Sequence, residues 1–282
     1  MINLGGIVLT ATKAILTLSL ATIAVPNATS AQSAAPVPLP SMPADANPAF
    51  DIVTIKRSDT SAPHGTFFRN NGRHCIAYNV SVGLLISYAY SLHAKQITDG
   101  PPSFLETHFD IDGVPDVEGH PNLQQSRLMY QKLLVSRFKL AFHYESRELP
   151  AFAINVAKGG PKLTATTRKP GDSTVFSYTR QIVLTVRNAS IADFAKGMQE
   201  GFLDKPVVDR TGLKDRYDFD LTWTPDDYQT YSPNDSAPSH NDPNAPPGLF
   251  TAVQEQLGLK FVPAKAPVQV MVIDHIEAPT EN

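Results

Sequence analysis

Asn79-Val80-Ser81, followed by His108-Phe109-Asp110-Ile111-Asp112, is the stretch that decides the fold of this chain. In the second half, Asn188-Ala189-Ser190 is followed in the same way by Arg216-Tyr217-Asp218-Phe219-Asp220. Each serine is a good helix N-cap, and apolar residues that alternate with acidic ones predict a strand with one solvated face. Because the pattern recurs, we expect two related units that share a fold.

Each predicted unit continues in the same order, with a helix, a strand, a second helix and two further strands, and short strands precede it. The first unit spans residues 50–163 and the second spans residues 174–277. Signals for hairpins outnumber those for parallel crossovers. The sequence therefore predicts an α+β protein in which each unit has two helices packed on a mostly antiparallel or mixed sheet.

The apolar runs that follow the second helix of each unit predict further strands. We expect strands at residues 138–144 and 151–157, and a last strand at residues 268–276. Leu149-Pro150 is expected to form a corner or a sheet edge between the first two, because proline cannot donate a hydrogen bond to a ladder.

Three parts of the chain are expected to lie outside the packed core. Residues 1–31 resemble a signal peptide, with Lys13 before a short apolar stretch and small residues after it. An uncleaved membrane anchor is the alternative, and no later stretch is apolar enough to span a bilayer. Residues 32–49 are rich in Ala, Pro and Ser, which predicts a flexible leader. Residues 225–247 are polar and rich in proline, which predicts a mobile surface loop.

Charge and cysteine content exclude some classes of protein. The formal net charge is −3, with no long run of either sign, and this argues against nucleic-acid binding, which needs a basic face. Cys75 is the only cysteine, so the chain has no intramolecular disulfide. We expect the Cys75 thiol to be buried as a small hydrophobic group, and a reactive or intermolecular thiol is the alternative.

Paired acids are the first candidates for catalysis. Asp110 and Asp112 share one face of a predicted strand, and so do Asp218 and Asp220. Carboxylates at this spacing can bind calcium or act as a catalytic pair. Their recurrence in both units favours a structural role, because an active site is normally unique.

No motif points to a cofactor or a metal. The histidines of the first unit lack the spacing of a helical zinc site, and Cys-x-x-Cys is absent; convergence of distant histidines on a metal stays open as an alternative. Serine-nucleophile motifs, Walker loops and dinucleotide fingerprints are absent as well. We therefore assign no catalytic residue, no metal ligand and no cofactor.

Three residues are candidates for contact with a ligand or a partner. Trp223 ends a predicted strand beside the predicted loop, where an exposed indole can bind a ligand. Asp209 and Arg210 form a polar pair before Thr211-Gly212, and the alternative is that they only fix this turn. A sheet edge at this place, or the groove between the two units, can capture a peptide by strand addition.

Several longer phrases resemble those of a known family. Among them are Leu134-Val135-Ser136-Arg137-Phe138-Lys139-Leu140, Ala157-Lys158-Gly159-Gly160-Pro161-Lys162-Leu163 and Pro206-Val207-Val208-Asp209-Arg210-Thr211-Gly212-Leu213. In these phrases the chain resembles the soil-associated protein family, exported proteins of unknown function that occur as many paralogues in soil bacteria. The resemblance covers nearly all of the chain after the leader. It implies export, but no activity, cofactor or catalytic residue.

The sequence favours an exported, non-enzymatic binding or interaction module of the cell envelope, located in the periplasm or outside the cell. The expected partner is an envelope protein or a peptide and not a nucleic acid. Two alternatives stay open. One is an envelope hydrolase that uses carboxylates such as Asp110, Asp112 or Asp209, and the other is an ectodomain-like module that senses a small ligand.

Overall fold

The computed structural model describes residues 40–59, 65–169, 174–178, 183–224 and 245–280. Its helices are α1 (Val82–Tyr90), α2 (Pro102–Leu105), α3 (Leu123–Arg137), α4 (Ile191–Gly201) and α5 (Leu249–Leu257). Its strands are β1 (Phe50–Arg57), β2 (Phe67–Asn71), β3 (His74–Ser81), β4 (Ile97–Thr98), β5 (His108–Pro115), β6 (Ala141–Val156), β7 (Thr164–Ala165), β8 (Val175–Tyr178), β9 (Val183–Ala189), β10 (Val207–Asp209), β11 (Tyr217–Thr222) and β12 (Leu259–His275). The predicted signal peptide and residues 225–244 of the predicted loop lie outside the described residues.

The described strands form three four-stranded sheets, with the orders β1-β5-β3-β2, β10-β6-β12-β4 and β7-β11-β9-β8. The first and third sheets are antiparallel. The central sheet is mixed, because the short strands β10 and β4 lie parallel to a long antiparallel pair, β6 and β12. The fold is therefore α+β, as the sequence predicts. The division into units at residues 50–163 and 174–277 stays a prediction.

The β6–β12 pair runs through three prolines without a corner. Pro150 lies opposite Lys265, and Pro263 and Pro267 lie on β12. The backbone N–H of Phe152 donates to Pro206 on the outer side of β6, at 2.8 Å, and not to β12. Because backbone directions alternate along an antiparallel pair, all three prolines stand where their missing N–H would point away from the partner strand. The expected corner at Leu149-Pro150 is therefore wrong, whereas the alternative of a sheet edge is confirmed, because β10 pairs with β6 only from Phe152 onward.

The start of β6 also differs from the expected strand at residues 138–144. The backbone N–H groups of Phe138 and Leu140 both donate to the carbonyl of Leu134, at 3.1 and 3.0 Å, and so extend the end of α3. Lys139 has a positive φ of 55°, which falls outside the extended region of a regular strand. Phe138 is fully buried, and its burial favours this helix ending over an earlier start of the strand.

One face of the β6–β12 pair serves two hydrophobic cores. Leu259 and Phe261, near the start of β12, belong to the core that packs against α4 and α5. Met271 and Ile273, near the end of β12, belong to the core that packs against α1 and α3. Since side chains alternate between the two faces of a strand, these four odd-numbered residues point to the same side. The two cores thus lie side by side on one surface.

A β-bulge interrupts β3 where it pairs with β5. Asn79 lies at this bulge with a positive φ of 50°, a conformation that Asn tolerates better than most residues. Its backbone N–H donates to Asp110 Oδ1 at 2.9 Å, and its carbonyl accepts from Thr66 Oγ1 at 2.8 Å. Asp110 therefore closes the gap that the bulge leaves in the ladder.

The same contacts occur where β9 pairs with β11. Asn188 has a φ of 53°, its N–H donates to Asp218 Oδ1 at 2.7 Å, and its carbonyl accepts from Thr174 Oγ1 at 3.1 Å. One difference is that Arg216 donates through Nε to Asn188 Oδ1 at 3.0 Å. The corresponding oxygen of Asn79 is buried and has no partner. The two bulges thus share their backbone chemistry but differ in how the amide is satisfied.

Residues 40–49, the end of the predicted flexible leader, contact the first half of the fold. Met42 is buried, and its N–H donates to the carbonyl of His120 at 2.9 Å. Lys132 Nζ donates to the carbonyl of Asn47 at 2.8 Å. These backbone and side-chain contacts satisfy polar groups in residues 40–49 that a free leader would leave to solvent. None of the described helices is both long and apolar enough to cross a bilayer.

Candidate functional site

The paired acids of the first half have local partners. Asp110 Oδ1 accepts from Asn79 N and from Ser58 Oγ, the latter at 2.7 Å, and its side chain is mostly buried. Asp112 Oδ1 lies 2.7 Å from His74 Nδ1 on the exposed face of the sheet. Each carboxylate thus closes a contact of the fold, and the two do not converge on a shared concave site.

The acids of the second half are held in their charged form. The backbone N–H of Asn188 lowers the pKa of Asp218 below its usual value, and the Arg187 guanidinium lowers the pKa of Asp220. A general acid needs the opposite shift, because it has to keep its proton near neutral pH. Stabilisation of the bulge and of the strand pair accounts for both residues.

Asp209 and Arg210 lie at the end of β10, which is an edge strand of the central sheet. Asp209 Oδ1 accepts from the N–H and the hydroxyl of Thr211, at 2.8 and 2.7 Å. The N–H of Arg210 donates to the carbonyl of Ile154 at 2.9 Å and extends the pairing of β10 with β6. The structure therefore gives both residues a place in the turn, and their contact with a ligand or partner stays a prediction.

Trp223 is fully buried, so the expectation of an exposed indole is wrong. Its ring packs edge-on against Phe202, with the ring centroids 5.0 Å apart. The sequence held the signal for this position, because Trp223 continues the alternation of the buried residues Phe219 and Leu221 on β11. The position of Trp223 beside the predicted loop suggested exposure, whereas the alternation along β11 predicts burial.

Cys75 is buried, with 1% of its surface exposed, as expected. Burial raises the pKa of its thiol to about 11, so the thiol is protonated and inert at neutral pH. Among the described residues, no group of three or more His, Cys, Asp or Glu side chains is arranged to hold a metal ion.

A cleft of about 270 Å³ lies between β2, α1 and the N-terminal part of α3. Its lining combines aromatic and polar side chains: Phe68, Arg69, Asn70, Tyr88, Pro121, Leu123, Ser126 and Tyr130. β2 is the last strand of its sheet, so the cleft lies next to a sheet edge. The hairpin turn at Gly72, with a φ of 61°, sets the position of β2 against β3.

Aromatic contacts fix the wall of the cleft. Phe68 stacks on Tyr88 with a centroid distance of 4.0 Å, and Tyr130 meets both rings edge-on, at 5.8 and 5.7 Å. Phe50 supports Tyr130 from the other side at 5.3 Å. Each such pair contributes about 0.5–1.5 kcal/mol beyond its buried area, so the cleft has a rigid wall before any ligand binds.

Two charged residues stand behind this wall. The Arg127 guanidinium lies over the Tyr88 ring, 5.8 Å from its centroid, and forms an ion pair with Glu200 of α4. Burial raises the pKa of Glu200, although Arg127 opposes that shift. Burial also raises the pKa of Tyr88, and the charge of Arg127 and then the Ser126 side chain oppose that shift. The cleft wall is thereby tied to the second half of the fold.

Tyr88 and Tyr130 lie on apolar helix faces in the sequence, which favours core packing and leaves a carbohydrate or peptide groove as the alternative. Phe68, Arg69 and Asn70 were not assigned to any site. The cleft needs residues from one strand and two helices that are distant in sequence, and no spacing rule connects them. The only local signal was Arg69-Asn70-Asn71, a polar run next to the hairpin turn.

No curated protein and no solved structure shows significant similarity to the chain. One family model does match it, from residue 83 to residue 276. This range includes nearly all of α1, the bulge at Asn188 and all of the β6–β12 pair, and it is more than half of the 282 residues. The chain therefore belongs to the family described as Protein of unknown function (DUF3738).

Proposed function

We propose that this protein is a non-enzymatic binding module that captures an extended peptide in the groove between β2 and α3. The observation that carries the proposal is the position of the cleft, which opens beside the edge strand β2 and is walled by Phe68, Tyr88 and Tyr130. An edge strand supplies backbone groups for a peptide, and an adjacent cleft supplies side-chain specificity.

The backbone of β2 supports addition of a further strand. Its pairing with β3 runs from Phe67 to Asn71 and uses one of its two edges. Because N–H and C=O directions alternate along a strand, every second residue of β2 directs these groups toward the other edge. A peptide that pairs there lies against the N-terminal part of α3.

The size of the cleft favours one side chain as its occupant. Clefts that bind drug-sized molecules usually measure about 300–1,000 Å³, and this cleft of about 270 Å³ is smaller. A peptide that pairs with β2 would insert one residue into the cleft and leave its neighbours on the surface. Affinity would then come mainly from the backbone and specificity from the inserted side chain.

The proposed location is the periplasm or the exterior of the cell, and the proposed partner is an envelope protein that carries such a peptide. The pattern of residues 1–31 supports export. Kinship with the soil-associated branch of exported proteins is part of the same proposal, and it is supported by the phrases quoted from the sequence.

The test uses two tryptophan substitutions on α3. Leu123 lines the mouth of the cleft and is 47% exposed, whereas Val135 is 52% exposed on the same helix and does not line the cleft. Leu123→Trp fills the cleft, and Val135→Trp is the matched control. Peptides are selected from a displayed random library against the full chain, and their affinity for each variant is measured by fluorescence anisotropy.

We expect the selected peptides to lose at least tenfold in affinity for Leu123→Trp and to bind Val135→Trp as they bind the unmodified chain. Equal affinities for the two variants, or a selection that enriches no peptide, would refute the proposed function. Urea unfolding of both variants checks that the fold is retained.

A further inference from the structure

One ion pair joins the two halves of the fold behind the cleft. Arg127 of α3 donates through Nη2 to the carboxylate of Glu200 on α4, and its guanidinium carbon lies 5.8 Å from the centroid of the Tyr88 ring. Phe68 stacks on the same ring, with the centroids 4.0 Å apart. Tyr88 and Phe68 line the cleft, whereas Arg127 and Glu200 do not. The pair therefore contacts the cleft wall without entering the cleft.

The backbone that carries Glu200 is fixed by the residue before it. Gln199 is buried, and its Nε2 donates to Gln96 Oε1 at 3.1 Å and to the carbonyl of Ser91 at 3.4 Å. Its Oε1 accepts from the N–H of Val207 at 3.0 Å. These bonds hold the last turn of α4 against the end of α1. The carboxylate of Glu200 is thus presented to the first half from a rigid support.

The fold gains little stability from this ion pair. Within the part of the chain that the structure describes, Arg127 Nε is buried and has no hydrogen-bond partner, which costs free energy. Burial raises the pKa of Glu200, although Arg127 of α3, the Ser91 side chain at the end of α1 and Lys196 of α4 oppose that shift. Apolar residues of similar volume often stabilise a fold as well as a buried ion pair does. Local costs of this kind are typical of functional sites.

We propose that Glu200 is a positioning residue that holds the cleft wall through Arg127, so that the ionisation of Glu200 controls the affinity of the cleft for a peptide. The ionised carboxylate keeps the guanidinium over the Tyr88 ring. When the carboxylate takes up a proton, this attraction is lost, and Tyr88 with the stacked Phe68 loses its support. The link to peptide affinity rests on the proposed function, whereas the positioning of the wall can be measured without a peptide.

The first measurement follows the wall in the full chain without any ligand. Tyrosine rings are labelled with ¹³C, and the NMR signals of Tyr88 and Tyr130 are assigned from the variants in which each is replaced by Phe. Glu200→Gln should shift both signals at pH 7.5, because Tyr130 meets the Tyr88 ring edge-on. Asp220→Asn is the control, since it removes a carboxylate from an ion pair with Arg187 on the third sheet, and it should shift neither signal.

The second measurement uses the library peptides whose binding depends on Leu123. At pH 7.5 their affinity should be about fivefold lower or less for Glu200→Gln than for the unmodified chain, as coupling between two sites typically gives. A raised pKa means that more than half of Glu200 is protonated at pH 4.5, its usual pKa. Between pH 7.5 and pH 4.5 the unmodified chain should therefore lose about twofold more affinity than Glu200→Gln. Asp220→Asn should follow the unmodified chain at both pH values.

The stability of Glu200→Gln separates positioning from a purely structural role. Because its pKa is raised in the folded chain, Glu200 contributes more to stability as pH falls through that pKa. Glutamine resembles the neutral acid, so the urea midpoint of Glu200→Gln at pH 7.5 should equal or exceed that of the unmodified chain. Affinity and stability should thus move in opposite directions. A midpoint that falls together with the affinity would mark Glu200 as a structural residue and would overturn the proposal.

Unchanged Tyr130 signals in Glu200→Gln, or equal shifts in Asp220→Asn, would overturn the positioning of the wall, whether or not any peptide binds. Library peptides that bind Glu200→Gln and the unmodified chain equally would overturn the control of affinity, and the proposed function would still stand. A selection that enriches no peptide refutes the proposed function instead, and the NMR signals then decide the role of Glu200. The two failures are therefore distinguishable.

Discussion

Replacement of Asn188 by Ala should lower the free energy of unfolding by more than replacement of Asn79 by Ala, although the two residues hold the same place in their bulges. Both have positive φ values, 53° and 50°, and alanine in the left-handed region costs about 1–2 kcal/mol. This backbone contribution is common to the two sites. The difference comes from the side-chain amides.

Asn188 is fully buried, and its amide makes two hydrogen bonds. Its Oδ1 accepts from Arg216 Nε at 3.0 Å, and its Nδ2 donates to the carbonyl of Lys169 at 3.1 Å. A hydrogen bond to a charged group contributes about 1.5–3 kcal/mol. Arg216 keeps Thr174 and Asp193 as partners, so the lower end of that range applies. We expect a loss of about 3 kcal/mol for Asn188→Ala and of about 1 kcal/mol for Asn79→Ala, whose Oδ1 has no partner.

Urea unfolding measures this difference. Trp223 is the only tryptophan and is fully buried, so its fluorescence reports the loss of the core around it, and circular dichroism reports the whole fold. Glycine variants separate the two contributions, because glycine adopts positive φ freely. Asn79→Gly should lie close to the unmodified chain, while Asn188→Gly should stay destabilised. Equal losses for the two alanine variants would refute the reasoning.

Three further predictions concern titration, the thiol and the cleft wall. Hydrogen bonds to Asp274, and then to Glu145, raise the pKa of His143 in the folded state. The contribution of His143 to stability is therefore present below its unfolded pKa and is lost as pH rises through its folded pKa. His143→Gln should lower the urea midpoint at pH 5.5 and hardly change it at pH 8.5. Because Cys75 is buried with a pKa of about 11, a chromogenic disulfide reagent at pH 8 should label the native chain only as fast as local unfolding exposes the thiol. Labelling within seconds would contradict this. Phe68→Ala, which removes the ring that stacks on Tyr88, should lower the free energy of unfolding in urea by at least about 1 kcal/mol, and an unchanged midpoint would contradict a stabilising role of that stacking.

Local chemistry was readable from the sequence. Ser81 was expected to cap α1, and its Oγ accepts from the N–H of Leu84 at 3.2 Å. Ser190 was expected to cap α4, and it forms a capping box with Asp193 in which each side chain bonds to the other residue's N–H, at 3.1 and 3.0 Å. Such contacts join residues three positions apart, so the sequence order alone brings the partners together.

Long-range pairing was not readable. Pro150 suggested a corner or a sheet edge. Which of the two forms depends on where β10 pairs with β6, and no residue near Pro150 indicates that position. Phe138 suggested a strand, because its alternation with Leu140 matches a strand pattern. The structure instead continues the hydrogen bonding of α3 through Phe138, which is buried in the core that packs against α1 and α3. The cleft was missed for the same reason, since its wall joins three separate elements.

The strand β12 completes both hydrophobic cores, so neither core can form before β12 has been synthesised. Leu259 and Phe261 complete one core, while Met271 and Ile273 complete the other, so a nascent chain that lacks β12 can finish neither. Both cores therefore stay incomplete until β12 has left the ribosome. Under the proposed export, a chain without its completed cores remains unfolded enough to pass through a translocon. Pairing of the seventeen-residue strand β12 with β6 then completes both cores.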